Sequence, residues 1–340
     1  MEEVAIIGID LAKRGFQVHG ARADGSVAYR GKLSRGKRPG FLGSQPPCTV
    51  AMEACASAHY RGREMGALGH EVRLVPPIYV KPFVKRNKND AADAEAITEA
   101  AQRPTMHFVA VKTEARQAQG MLFHTRDLLV RQRTQTINAL RGHLAEYGVV
   151  APRGRARIRQ LAAVLEDEDF GLPEAVAELG WLLLGRIGEL DEKIGGLDRE
   201  LQTSARQNEE TARLMTIPGV GPVTAMALQA FAPPMESFRR GRDFSAWLGL
   251  VPRQHTTGGK PRLGGISKMG RRDLRRLLVT GAMAVVQQAS RRSEITDPWL
   301  AGMLARKPRK VVAVALANRT ARRVWALATK KEAYRVRAAA

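Results

Sequence analysis

The apolar residues of the chain follow two different periods, and the change falls near residue 110. Before it they come in short β-branched runs broken by turn residues: "VAIIGID", "FQVHGARA", "SVAYRGKL", "CTVAMEA" and "EVRLV", with a helical stretch from Ala58 to Leu68 between the last two. The expected order is three strands, a long connection, a strand, a helix, a strand and a helix. A mixed α/β layer with an antiparallel hairpin beside parallel strands satisfies it. From Glu114 to Tyr147 the pattern is helical. A second block sets Val176, Leu179, Leu183, Ile187, Leu190, Ile194, Leu197 and Leu201 at alternating steps of three and four. Gly185, Gly188, Gly195 and Gly196 weaken that seam, which suits a helical hairpin within one chain or a coiled coil between chains. The expected class is α/β followed by all-α.

At 340 residues the chain has room for two or three domains. Its formal charge is +22 and its pI near 10.8. From Arg253 onward there are 21 lysines and arginines against 4 acidic residues, a net +17. A basic region on a folded protein implies a polyanionic partner, and nucleic acid is the first expectation. An anionic membrane fits less well, because the basic segments lack a bulky aromatic face and the longest apolar runs, such as "VVAVALA", are too short to span a bilayer. The start "MEEVAIIGIDLA" has acids where a signal peptide carries cations. Cys48 and Cys55 form neither a CxxC pair nor a zinc set with the seven histidines. A cytoplasmic protein with reduced thiols is expected.

The stretch "KRNKNDAADAEAIT" runs from Lys85, Arg86 and Lys88 into Asp90 and Asp93, which share a helix face and repel. One reading is a solvated acidic first turn favoured by the helix dipole. The other is half a metal site. Asp10 ends the first strand and Glu53 ends "AMEAC"; if those strands are neighbours, both carboxylates emerge at one sheet edge. Four carboxylates from two strand ends and one helix suit two magnesium ions that clamp the attacking and leaving oxygens of phosphoryl transfer about 4 Å apart. Lys85, Arg86 and Lys88 would then sit near substrate phosphate. "IGIDLAK" also resembles the first phosphate loop of sugar-kinase and actin-like ATPases, but no second glycine-rich loop or adenosine motif follows. Farther on, Gly219 and Gly221 in "TIPGVGPVTAMALQAF" have the look of a helix-hairpin-helix turn, whose N–H groups can meet a phosphate. "SKMGRRDLRRLLVTGAMAVVQQA" reads as a helix burying Leu274, Leu277, Leu278 and Met283, with Arg271, Arg272, Arg275 and Arg276 at one end to neutralise a nucleic-acid backbone.

In this order and at these distances, "GIDLAK", "MEAC", "KNDAADAEAI", "IPGVGPVTA" and "FSAWLGLVPRQHTTGGKPRLGGISKMGRRDLRRLL" resemble the DEDD transposases of the bacterial insertion-sequence family one hundred and ten, with "LVPRQH" and "GISK" similar to its eleven-eleven subgroup. The resemblance covers Val4 to about Arg323. It implies a RuvC-like, RNase H-type catalytic domain over 1–108, a helical coiled-coil region over 109–208 and a basic, mainly helical transposase domain over 209–340. It further implies a homo-oligomer, a dimer assembling to a tetramer, working on donor and target DNA with a structured noncoding bridge RNA, nucleoid-associated when DNA-bound. Asp10, Glu53, Asp90 and Asp93 match the metal-binding tetrad. The nucleophile that links to DNA falls in "TTGG", at Thr256 with Thr257 second, where relatives carry serine. The threonine methyl group crowds an in-line approach. Ser267 is a reserve, although N-capping of the basic helix accounts for it. His255 could orient or deprotonate the threonine. Arg253, Lys260, Arg262 and Lys268 around the motif join the expected nucleic-acid contacts.

The implied reaction is magnesium-dependent strand cleavage and exchange through a hydroxyl–DNA ester, with the site shared between chains because tetrad and nucleophile lie in different domains. A junction-resolving nuclease using water and a nucleic-acid scaffold without chemistry are the competing functions. If RNA does the base pairing, target sequences are not written in this chain.

Overall fold

Three isoleucines within six residues make β1 (Ile6–Leu11) a strand that is buried on both faces and central to a five-stranded sheet. The structure, a computed structural model, describes residues 4–11, 15–34, 36, 38–85, 90–152, 154, 157–292 and 295–335; the side chains at 38, 39 and 90 are outside that description. The chain divides into two compact units, Met1–Gln117 and Ala118–Ala340.

In the first unit β2 (Gly15–Ala21) and β3 (Val27–Ser34) continue antiparallel from β1. Their connection turns at Gly25, whose φ of 85° suits glycine. After α1 (Arg38–Gly43), β4 (Thr49–Glu53) lies parallel to β1. The helix α2 (Ala58–Ala67) then leads to β5 (Glu71–Val75), parallel to β4. The order across the sheet is β3-β2-β1-β4-β5. The short α3 (Pro77–Val80) precedes α4 (Asp90–Ala101). Period-two alternation splits β1 between two cores. Ile7 and Ile9 pack with Val50, Met52, Leu74 and the α2 residues Ala58 and Met65. Ile6 packs on the opposite face with Ala51, Val75 and the α4 residues Ala96, Ile97, Ala100 and Ala101. The strands and helices of this unit follow the order read from the sequence.

The second unit is mostly helical. α5 (Glu114–Ala145) begins just before the unit boundary, and α6 (Ile158–Glu166) and α7 (Glu174–Gln207) follow. α7 is continuous for 34 residues through all four glycines of the expected weak seam. Arg126 bonds Asp198 and Arg133 bonds Asp191, each at 2.5 Å, so α5 and α7 run antiparallel. Ile137, Leu140 and Leu144 of α5, Leu161 and Leu165 of α6 and Ile187 of α7 share one core. Ile187, with Val176 and Leu183 beside it, is thus occupied within the chain, the helical-hairpin alternative. Leu179 of the same seam stays 61% exposed. A Cβ on Gly180 would lie 2.7 Å from Leu165 Cδ2, so this glycine is what lets α6 seat on α7.

Next come α8 (Glu209–Met215), α9 (Pro222–Phe231) and α10 (Gly241–Trp247), then a hairpin of β6 (Pro252–Gln254) and β7 (Leu263–Ile266). α11 (Arg272–Ala289), α12 (Pro298–Arg306) and α13 (Arg309–Lys330) complete the unit. Phe244, Leu248, Leu274, Leu278, Val312 and Leu316 belong to one core, while Leu277 and Met283 are partly buried against it.

Candidate active site and nucleic-acid surface

Ile9 and Met52 are the last register partners of the parallel pair β1 and β4, so Asp10 and Glu53 leave adjacent strands at the same edge. Alternation puts both on the face that carries Ile6 and Ala51, the face covered by α4. That helix sits very close to β1. A Cβ on Gly8 would lie 2.0 Å from Thr98 Oγ1 and 2.5 Å from the Ala94 carbonyl. Ile6 meets the C-terminal half of α4, so the first turn of α4 lies toward the Asp10 end of the strand. Asp90 opens that turn and Asp93, partly buried, follows; the Asp90 side chain lies outside the described residues. Partial desolvation of the sulfur, and after it the charges of Glu53 and Asp10, push the Cys55 thiol above its ordinary range. Both carboxylates thus act on the same thiol from the ends of neighbouring strands. Their oxygen-only chemistry fits a hard divalent cation such as magnesium. Among the described residues no three His, Cys, Asp or Glu side chains are gathered into a metal cluster.

The other flank of α4 is neutralised by its neighbours. Glu95 accepts from Lys85 Nζ at 2.6 Å and from Arg30 at 3.2 Å. Its carboxyl is held below the usual range, first by the Lys85 hydrogen bond, and Lys85 is raised in turn by Glu95. Lys85, expected near substrate phosphate, is thus paired with a carboxylate. Arg86 and Lys88 lie outside the described residues. Beneath Glu95, His19 is buried with Nδ1 unpartnered; burial, then Arg30, lowers its pKa.

In the second unit the motif expected to carry the nucleophile forms a β-ribbon that the sequence pattern does not announce. Lys260 N–H donates to the Thr257 carbonyl at 3.2 Å, and Gly258 and Gly259 have φ of 58° and 75°. This is a type I′ turn, which needs positive φ at both central positions and explains the paired glycines. Thr256 and Thr257 stand exposed at its tip with Lys260 and Arg262. His255 N–H donates to the Arg262 carbonyl, and its ring lies beside Gly264.

The ribbon is pinned at its base. Gly249 and Gly270, both at positive φ, leave room that no Cβ could occupy: one would meet the Met269 carbonyl at 2.1 Å, the other the Trp247 carbonyl at 1.8 Å. Arg275 Nη1 donates to the Leu248 and Met269 carbonyls at 3.0 and 2.9 Å. Ser267 is not the N-cap of α11, a correction to the sequence reading: the Gly270 turn intervenes and the helix starts five residues later, at Arg272. Arg253 donates to the Ser267 carbonyl, and Lys268 adopts φ of 56°.

The arginines expected to contact nucleic acid divide into two kinds. Arg271 makes a two-pronged bond to Asp273 and stacks 4.3 Å over Phe231, Arg275 closes the ribbon base, and Arg276 bonds Asp127. Arg272 is exposed at the first position of α11. Gly219, at φ of 86°, fits against α11: a Cβ would lie 2.9 Å from the Gly281 carbonyl. Gly221 precedes α9 with open space around it. Gly8, Gly249 and Gly270 have site-shaping roles that the sequence reading missed. The available signal was a glycine inside a strand pattern or next to a helix end.

Residues 7–149 match the DEDD transposase model of the IS110 group, described as "Transposase", and residues 211–296 match "Transposase IS116/IS110/IS902 family". The chain is 47% identical over 331 residues to "Probable family 20 transposase" of Pseudomonas aeruginosa, covering 97% of this chain and 98% of that one. It is 44% identical to "Transposase for insertion sequence element IS1328" of Yersinia enterocolitica, over 97% and 98% of the two chains. With "Transposase for insertion sequence element IS1111A" of Coxiella burnetii the identity is 39%, over 98% and 92%. A five-stranded α/β unit, a helical basic unit and these matches define a DNA transposase, an enzyme of mobile DNA. The chain belongs to the IS116/IS110/IS902 family of insertion-sequence transposases. Among the described residues no helix is long and apolar enough to cross a membrane.

Proposed function

We propose that this transposase cuts and exchanges DNA strands through a covalent Thr256–DNA link, with Asp10, Glu53, Asp90 and Asp93 as the metal-binding tetrad of a RuvC-like first unit and with a bridge RNA supplying the base pairing. One observation carries the reading: Asp10 and Glu53 leave neighbouring parallel strands on the face covered by α4, the helix that begins with Asp90 and Asp93. Those four carboxylates would hold magnesium, which when bound neutralises phosphate charge enough for a neutral hydroxyl to attack.

The remaining tasks fall to side chains of this chain. Thr256 Oγ1 forms a bond to phosphorus as the P–O3′ bond breaks, and the hydroxyl proton passes to the leaving 3′ oxygen. A 3′ hydroxyl from the exchanged strand then attacks the same phosphorus, the threonine ester breaks, and Thr256 recovers a proton. The phosphodiester count is conserved, so no nucleotide triphosphate is consumed. His255, adjacent in sequence, would orient the hydroxyl, and Thr257 is the second candidate. The type I′ turn presents both threonines on a ribbon tip with Lys260 and Arg262, which suits attack on a bound backbone. Arg253, Lys268 and Arg272 would add phosphate contacts, and the Gly219–Gly221 turn would act as the hairpin of a helix-hairpin-helix element. The working form is a dimer that assembles to a tetramer in the cytoplasm, on the nucleoid.

The test is incubation of protein, element-derived RNA and labelled donor and target DNA with magnesium, followed by mass spectrometry for a DNA-linked peptide. An adduct on the Thr256–Thr257 peptide supports the reading. Cleavage without adduct transfers the chemistry to water, and bound but intact DNA leaves a scaffold.

A further inference from the structure

We propose that the turn joining α12 to α13, Arg306-Lys307-Pro308-Arg309-Lys310, is a docking surface for the phosphate backbone of duplex DNA, additional to the ribbon and to the first turn of α11. Four of its five side chains are cations and all five residues are exposed. Among the described residues none of the four forms an ion pair; Arg306 Nε donates only to the Gly302 carbonyl of its own helix. Several other arginines of this unit are consumed internally. Arg126, Arg133, Arg213, Arg271, Arg276 and Arg319 each bond a carboxylate. The turn instead gathers four basic side chains within five residues and, among the described residues, without a carboxylate partner.

Placement sharpens the point. Arg309 and Lys310 are the first two residues of a 22-residue helix whose first turn has no acid, and Pro308 before them offers no capping side chain. Cations there face the positive end of the helix dipole and oppose it. α11 carries arginines at the same position but sets Asp273 beside them. The free protein thus holds an uncompensated arrangement at α13 that a bound polyanion would relieve. The segment from Arg306 to Val312 has no aromatic side chain on which an unpaired base could stack, so the contact fits the backbone of a duplex and reads no sequence. It also lies beyond residue 296, where the matched family models end. The inference rests on membership of a DNA transposase family and is independent of the tetrad and of Thr256.

The experiment measures binding of the full-length protein to a fluorescein-labelled DNA duplex of arbitrary sequence across a salt series, without magnesium or RNA. The variant replaces Arg306, Lys307, Arg309 and Lys310 with Gln. The control makes the same charge change at the exposed Arg159, Lys193, Arg199 and Arg206. Each lost phosphate contact should flatten the slope of log affinity against log salt by about 0.9, so two to four contacts give a change of about 2 to 3.5. The control should move the slope far less. Arg309→Gln with Lys310→Gln should also raise the melting temperature of the free protein by about 2 °C while weakening DNA binding. An unchanged slope, an equal effect in the control, or a lower melting temperature for the double variant would overturn the proposal. Loss of affinity for an RNA duplex of the same length with DNA binding intact would reassign the surface and overturn it as a DNA site.

Discussion

Replacing Gly8 by alanine tests whether the approach of α4 to β1 organises the carboxylate edge. The added Cβ would stand 2.0 Å from Thr98 Oγ1 and 2.5 Å from the Ala94 carbonyl, where ordinary contact begins at 3.4 Å. The hydroxyl can swing aside; the carbonyl belongs to a helix backbone and cannot. Relief therefore requires α4 to lift by about 0.5–0.9 Å from a close-packed face. Overpacking of this kind costs about 1–3 kcal/mol, and a backbone wall places Gly8→Ala near the top of that range. Adding Thr98→Ala should recover less than about 1 kcal/mol, because the carbonyl clash remains. All four tryptophans, Trp181, Trp247, Trp299 and Trp325, belong to the second unit, so their fluorescence does not report this change. Hydrogen exchange in β1 and α4 does, and a loss of about 3 kcal/mol raises exchange there roughly a hundredfold. Gly66→Ala in α2 is the matched control, since its Cβ meets nothing within 4 Å. A displaced first turn should also lower strand cleavage by about a hundredfold. Wild-type exchange in Gly8→Ala would refute the reasoning.

The division of the arginines predicts opposite phenotypes for close neighbours: Arg272→Gln should flatten the salt dependence of DNA binding by about 0.9 and leave stability unchanged, whereas Arg275→Ala should cost about 1–3 kcal/mol in denaturant melts through two orphaned carbonyls. His19 and His59 both titrate below the ordinary 6.5, in each case chiefly through burial, and His59 Nδ1 must stay unprotonated to accept from Lys112 N–H. The unfolded chain therefore binds more protons than the folded one just below pH 6.5, so first-unit stability should fall as pH drops from there toward the folded pKa values; a His59→Asn melt series should show a shallower fall. Gly185 and Gly188 sit in the interior of α7 with nothing within 4 Å of a Cβ, and alanine at each should raise stability by about 0.5–1 kcal/mol in chemical denaturation.

The sheet was legible because its strands are short, β-branched and punctuated, and Asp10 and Glu53 could be set at one edge on the condition that their strands are neighbours, a condition the parallel pairing of β1 with β4 meets. The helices from Glu114 to Gln207 were legible from their period, although the glycines of α7 carried a warning that packing on α5 and α6 overrides. What stayed hidden left no mark on the hydrophobic pattern. "PRQHTTGGKPRLGGI" has little hydrophobic alternation, since the β-ribbon is exposed and has no buried face to mark its period. Arg271, Arg275 and Arg276 look alike in sequence. Only the positions of Asp273, the Leu248 and Met269 carbonyls and Asp127 separate them from Arg272.

The two ion pairs between α5 and α7 count out that hairpin as a ruler would. Arg126 and Arg133 are seven residues apart, as are Asp191 and Asp198, so each step along one helix is matched by an equal step back along the other. Inserting seven residues into each helix beyond Arg133 and before Asp191 would keep both pairs and the apolar seam in register. It would carry the far tip outward by about 10 Å. Two or five residues would turn the seam away from its partner by about 140–160°. Length in this part of the molecule is thus best changed in heptads, and engineered variants of different reach should lose stability as the inserted length departs from seven, most of all at two or five residues.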